Sequence, residues 1–189
     1  MSKHSMTWAQ PQHHGLLENI LAKLRARQAN ALIPDHFRNG RLLDIGCGET
    51  PFFLQNIEFK HKYGINKWKF EEKRVIAESL DDHLQLFNWD LSRTENLPFE
   101  DEYFDVVTML AVFEHVEPAE ISTLVSEVQR ILKLDGIFVL TIPVWWTDLI
   151  LKGLAKINLV SMMGVEDHKS TYSRKKITNI MKLNGFETS

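Results

Sequence analysis

One short stretch limits what this chain can fold into more than any other. Arg41-Leu42-Leu43-Asp44-Ile45 runs straight into Gly46-Cys47-Gly48. The apolar run reads as a short buried strand. Gly46 and Gly48 permit positive φ and let a ligand come close to the backbone. A strand ending on such a turn suits an α/β sheet, in which ligands bind outside the carboxyl ends of the strands. Asp44 would stand at that end, facing the crevice, able to accept hydrogen bonds from a cationic or hydroxylated ligand. Taken alone, a Gly-x-Gly turn also fits a plain strand-to-helix connection.

The flanking sequence supplies the rest of a sheet. Further strand candidates are Lys62-Tyr63-Gly64-Ile65, Leu84-Gln85-Leu86-Phe87, Phe104 to Leu110 and Ile137 to Ile142. The last two are nearly continuous apolar runs, as in strands covered on both faces. Residues 16–30 read as a helix with Leu17, Ile20, Leu21 and Leu24 on one stripe, and residues 70–80 favour helix. The clearest helix carries Ile121, Leu124, Val125, Val128 and Leu132, with Asp135-Gly136 as its stop. A last helix follows Ser173 as N-cap, through Ile177, Ile180, Met181 and Leu183, to a stop at Asn184-Gly185. Strands alternating with helices give an α/β fold with a parallel sheet and helices on both faces.

Composition narrows the function classes. The chain has 189 residues, which suits one domain, and 22 Lys plus Arg stand against 25 Asp plus Glu. That balance makes no global basic field, so no nucleic-acid partner is expected. A single cysteine leaves neither a disulfide framework nor a Cys-based zinc site; no metal is expected. The polar stretch Met1 to His14 does not read as a signal segment, and a cytoplasmic location is expected.

Asn66 lies 22 residues beyond Asp44, close to the spacing of about 20 at which a nucleotide-binding βαβ unit places its ribose group. Asp90 follows the third strand, and Glu114-His115 the fourth. A dinucleotide fingerprint needs a third glycine three positions after Gly48, where this chain has Pro51.

Five pieces in order carry a resemblance: Leu43-Asp44-Ile45-Gly46-Cys47-Gly48, Asn88-Trp89-Asp90-Leu91, Leu97-Pro98-Phe99 through Val107, Glu114-His115-Val116, and Arg130 through Gly136. Over residues 40–143 the chain resembles class I S-adenosylmethionine-dependent methyltransferases, of the group that includes quinone-biosynthesis methyltransferases. The resemblance implies a Rossmann-like, doubly wound, mostly parallel sheet. It also implies S-adenosyl-L-methionine as cofactor and S-adenosyl-L-homocysteine as product. By that analogy Asp44, Gly46, Cys47 and Gly48 line the methionine end of the cofactor. Asn66 meets the ribose, with Lys67 beside it among the cofactor-binding residues, Asp90 and Leu91 meet the adenine, and Leu110 and Ala111 lie beneath the sulfonium. Two positions depart from the family pattern: Asn66 stands where an acid is usual, and Asp135 where Pro is usual. Asn66 can still bond hydroxyls but forgoes the stronger charge-assisted bond.

Methyl transfer is an in-line displacement in which the protein mainly positions the acceptor. An oxygen acceptor also needs its proton removed, and His115, which follows the fourth strand, is the candidate general base. The acceptor class expected is a small molecule, lipid or glycan. Glu114, Trp145, Trp146, His168 and Tyr172 are candidates for its pocket. Residues 144–165 read as an apolar lid and a candidate for membrane-surface contact, while Asp148, Lys152 and Lys156 exclude a transmembrane span. An ordinary core-closing helix or a dimer contact fits the same stretch.

The expected domain is single over 1–189. It comprises a helical cap (1–40), the cofactor-binding core (41–143), the lid-like insertion (144–172), then a final helix and the start of strand six (173–189). The resemblance implies two further strands as a C-terminal hairpin, which the chain, ending at Ser189, would lack. Either the chain is trimmed there, or the exposed edge beside strand five needs covering, by another element or by a second copy in a homodimer. A rival to the enzyme reading is a catalytically silent protein on the same fold, acting through a partner.

Overall fold

The computed structural model describes residues 16–67, 83–91, 96–142 and 174–188. The helix expected over 70–80, the lid segment, Ser173, and Trp145, Trp146, His168 and Tyr172 lie outside the described residues.

Five strands form one sheet: β1 (Arg41–Ile45), β2 (His61–Asn66), β3 (Leu84–Asn88), β4 (Phe104–Leu110) and β5 (Leu132–Thr141). Their order is β3-β2-β1-β4-β5, and every neighbouring pair is parallel. The described helices are α1 (Leu16–Leu32), α2 (Phe52–Asn56), α3 (Ile121–Ile131) and α4 (Arg174–Leu183). From β1 the chain steps outward to β2 and β3, then returns to lay β4 on the other side of β1. The strand order therefore reverses between β1 and β4, where doubly wound sheets open their ligand crevice.

Alternation along the strands divides the core. Leu43, Ile45, Tyr63, Ile65, Val107 and Met109 pack with residues of α3 and α4. Leu42, Leu84, Val106 and Val139 pack with α1 and α2 on the opposite face. In the first core Phe104 is fully buried and meets Tyr63, Phe99 and Tyr103 edge-on at centroid distances of 4.8–5.3 Å. Each such pair adds about 1 kcal/mol beyond its buried area.

Helix α1 packs by a different face from the expected one. Ala26, Ala29 and Ile33 are buried, whereas Ile20 and Leu24 are 46% and 47% exposed. Alanines let the helix axis approach β4 and β5 closely, which a leucine stripe would prevent. The end of α3 also differs. The helix stops at Ile131, which is buried, and Leu132 already pairs with Phe104 as the first residue of β5. Leu132 opposes Phe104 and Ile137 opposes Val106, so Lys133 to Gly136 bulge out of the ladder opposite Asp105. Asp135-Gly136 thus lies inside a bulged strand start rather than forming a helix stop. Helix α4 does end as expected. Gly185, at φ 81°, donates its N–H to Lys182 O at 3.1 Å, and Phe186 donates to Met181 O at 3.0 Å. Gly185 to Thr188 carry no strand.

Two polar clips hold the frame below the crevice. Asp105 accepts the Arg41 N–H at 2.7 Å and pairs with Lys133 Nζ at 2.7 Å. Its carboxylate fills the space where a Cβ on residue 40 would stand, so only glycine fits there. Arg130 spans the second clip. It donates to Glu127, to Asp101, and to the carbonyls of Leu97 and Phe99, at 2.7–3.1 Å. Glu127 in turn accepts the Leu97 N–H at 2.9 Å, closing the loop before β4 onto α3.

Candidate functional site

At the end of β1 the backbone turns through two left-handed glycines, Gly46 at φ 71° and Gly48 at φ 79°. Gly46 and Cys47 donate their N–H groups to Ile65 O at 2.8 and 3.2 Å, tying the turn to β2. A Cβ on Gly46 would collide with the Val112 side chain, so this glycine serves a close approach within the protein. A Cβ on Gly48 would meet only Thr50 O, at 3.8 Å, so the space above this glycine is open. Ala111, just past β4, also lies in the left-handed region at φ 57°. Its N–H is held by both the carbonyl and the hydroxyl of Thr141, each at 3.1 Å. Such backbone costs a non-glycine residue about 1–2 kcal/mol, and it stands on the opposite side of the same crevice.

Asp44 lies lower in the crevice than the sequence alone suggests. It is 4% exposed, and the Thr108 hydroxyl donates to its Oδ1 at 2.6 Å. Burial pushes its carboxyl up to about 7, and the Thr108 hydrogen bond pulls partly the other way. Burial first, and the Asp44 charge second, push the Cys47 thiol up. Gly64 sits opposite Asp44 on β2, and a Cβ there would strike Cys47 Sγ, Leu54 and Leu86.

One residue pair further along the same sheet face, Asn66 opposes Asn88 and Leu110 opposes Thr141. The top row is therefore amide, amide, apolar and hydroxyl from β3 to β5. Asn66 donates through its side chain to Lys67 O at 3.4 Å, and its carbonyl accepts the Trp89 N–H at 2.8 Å. Lys67 pairs with Asp90 at 2.6 Å, bridging the ends of β2 and β3, and Lys67 is largely exposed. Leu91 is half-buried against the α3-side core, and Leu110 is half-buried against the α1-side core. His115 closes a 3₁₀ turn, Phe113–His115, and is partly exposed. Glu114 lies in the same turn, its backbone alone described. Among the described residues no group of three or more His, Cys, Asp or Glu is placed to hold a metal ion. A groove of about 1400 Å³ opens elsewhere, along β5, α3 and α4, and holds none of these residues.

The structure thus joins Asp44, Gly46 and Cys47 at one wall, and Asn66, Lys67 and Asp90 at the neighbouring strand ends. Thr108, Thr141 and Asn88 are the polar groups of this site that the sequence reading passed over. Thr108 had a signal, a hydroxyl in the apolar, buried middle of a strand. Asn88 and Thr141 gain their place only from strand register.

A parallel α/β sheet with a glycine turn at its strand-order reversal defines a nucleotide-type ligand-binding fold of the Rossmann-like class. Comparison with known proteins makes this specific: the chain belongs to the methyltransferase domain family, whose model matches residues 43–140. Its fold is similar to that of a chain in the complex between the Haloferax volcanii Trm112 methyltransferase activator and a methyltransferase. That match has TM-score 0.63 and 18% identity, covering 85% of this chain and 67% of that one. It is similar to an Archaeoglobus fulgidus SAM-dependent methyltransferase (TM-score 0.61, 20% identity, 89% and 69% covered). It is also similar to a geranyl diphosphate methyltransferase solved with GPP and sinefungin (TM-score 0.62, 16% identity, 88% and 59% covered). At these identities the likeness is one of fold. No curated protein matches the sequence significantly.

Proposed function

We propose that the chain binds S-adenosylmethionine across the carboxyl ends of β1 and β4 and transfers its methyl group to a small-molecule, lipid or glycan acceptor. The observation that carries this reading is the left-handed Gly46–Gly48 turn beside a buried, hydrogen-bonded Asp44 at the strand-order reversal. The residues suit the cofactor chemically. Gly48 leaves open space for a ligand's approach, and Asp44 is an acid where a cationic methionine end would lie. Asn66 offers an amide to ribose hydroxyls, with Lys67 beside it, and Asp90 a carboxylate to an adenine amine, with Leu91 packed alongside. Leu110 and the left-handed Ala111 form the floor on the β4 side.

When bound, the cofactor supplies a methyl group already attached to a good leaving group. The chain's own part is to hold, orient and dry the site, worth several kcal/mol through proximity. His115 is the group we assign to accept the acceptor's proton, with Glu114, Trp145, Trp146, His168 and Tyr172 assigned to the acceptor pocket. Titration calorimetry with S-adenosylmethionine and S-adenosylhomocysteine tests the reading. One-to-one binding in the micromolar range, about −8 kcal/mol, is expected. No heat at millimolar ligand would overturn it.

A second reading, a catalytically silent member acting through a partner, draws on Asn66 and on the engagement of Asp90 by Lys67. Cofactor binding without turnover over a broad acceptor panel would favour it. Asn66→Asp should tighten cofactor binding if residue 66 meets the ribose.

A further inference from the structure

Thr108 sits in the middle of β4 among Phe, Val, Met and Leu, and it is fully buried. Valine would give nearly the same shape without a hydroxyl. A hydroxyl buried there costs about 1–3 kcal/mol unless it is hydrogen-bonded. Two acceptors lie within reach of the Thr108 hydroxyl: Asp44 Oδ1 at 2.6 Å and Leu43 O at 3.3 Å. One hydroxyl proton can serve only one of them at a time. When Asp44 is ionised, Thr108 donates to its carboxylate. When Asp44 is protonated, its own O–H can donate to Thr108 Oγ1, and the threonine proton turns to Leu43 O. The same three groups then remain satisfied in both protonation states, with Asp44 held in one place.

We propose that Thr108 is a positioning residue for the cofactor's cationic end: it fixes Asp44 through both ionisation states, so that cofactor affinity follows the ionisation of Asp44. This rests on the function proposed above. Among the described residues, titratable neighbours are few on the elements packed here. On β2, Gly64 lies directly opposite Asp44, and Lys62 is one residue pair lower on the same face. The turn contributes Cys47, and the buried faces of α1 and α2 contribute Ala26, Ala29 and Leu54, none ionisable. On β4 the neighbour is Thr108 itself. Burial raises the Asp44 carboxyl to about 7, and the Thr108 hydroxyl is the group that lowers it.

The test compares wild type with Thr108→Val and Thr108→Ser, and uses Asp44→Asn to assign the carboxyl signal. The Asp44 carboxyl is followed by ¹³C NMR in ligand-free protein, and the Kd for S-adenosylhomocysteine is measured by calorimetry from pH 5.5 to 9. In wild type, affinity should fall about tenfold per pH unit below the Asp44 inflection. Thr108→Val should move that inflection upward by roughly one pH unit. It should weaken binding about fivefold at pH 7 and about tenfold at pH 5.5, yet approach wild type at pH 9. Thr108→Ser should restore both. If the valine chain does not fold, Thr108→Cys, a weaker donor of similar size, supplies the comparison. An inflection unmoved by loss of the hydroxyl, or binding weakened equally at all pH values, would overturn the role of Thr108. A wild-type protein that titrates Asp44 but binds no homocysteine product at any pH would overturn the cofactor reading and, with it, this role.

Discussion

On the function proposed above, Asp44 is a single residue that favours binding at the expense of the fold. Its carboxyl is raised to about 7 by burial, against about 3.9 in an unfolded chain. Between those values the folded state holds a proton that the unfolded state releases. The stability this group contributes is therefore complete below about pH 4 and is lost as pH rises through 7. Asparagine keeps the shape and removes the charge. Asp44→Asn should match wild type in urea unfolding near pH 4 and exceed it by about 1 kcal/mol or more at pH 8. Its affinity for the cofactor should fall well below that of wild type at pH 8 and match it near pH 4, where Asp44 is itself neutral. A variant no more stable than wild type at pH 8 would refute the buried-charge account. The sequence placed Asp44 at the strand end, but depth within a crevice depends on neighbours such as Thr108 and Gly64, which pattern alone does not bring together.

At the scale of elements, several residues that carry the family resemblance prove to be clips rather than chemistry. Leu97, Phe99, Asp101 and Arg130 form one hydrogen-bonded knot between α3 and the loop before β4. Glu127 is held below the usual carboxylate range, chiefly by its hydrogen bond to Arg130. Its contribution is present above the unfolded-state value near 4.3 and fades as pH falls through its own lower value. Arg130→Ala strands two backbone carbonyls and Glu127, and should cost about 2–4 kcal/mol in thermal or denaturant unfolding at pH 7. Arg130→Lys should recover less than half, since one ammonium cannot reproduce the planar fork. Full recovery by lysine would mean that charge alone matters here. Periodicity found the body of α3 and the stop of α4, because the buried stripe and Gly185 are local signals, but it carried α3 past Ile131 into β5. It misjudged α1, where Ala26 and Ala29 face the sheet and the larger Ile20 and Leu24 face outward. Small residues bring a helix close without marking a hydrophobic stripe. The residues of the bulge at the start of β5 likewise read as a turn, since only pairing with β4 makes them part of a strand.

For the molecule as a whole, the α/β class and a parallel sheet were legible from strands alternating with helices. The order β3-β2-β1-β4-β5 was not read off, because it depends on which strands pair across long separations. The candidate cofactor wall around Asp44 and Gly46 was legible for the same reason as the fold: it is contiguous in sequence. Its other side, Thr108, Ala111 and Thr141, was only partly so.

That arrangement has a consequence for how the protein is made. β1 acquires β2 after a short excursion, but its pairing with β4 joins residues 64 apart in the chain, as in the Thr108–Asp44 bond. Closing so long a loop is slow compared with local helix and βαβ formation. A nascent chain ending near residue 90 would hold the glycine turn without the strand that completes it. During refolding from denaturant, competence to bind S-adenosylhomocysteine should therefore appear with the slowest phase, after most far-ultraviolet ellipticity has returned. Binding that recovers in step with the fastest phase would show that β4 docks early. On that expectation the crevice is among the last parts of this fold to form, and its occupancy would report that folding is complete.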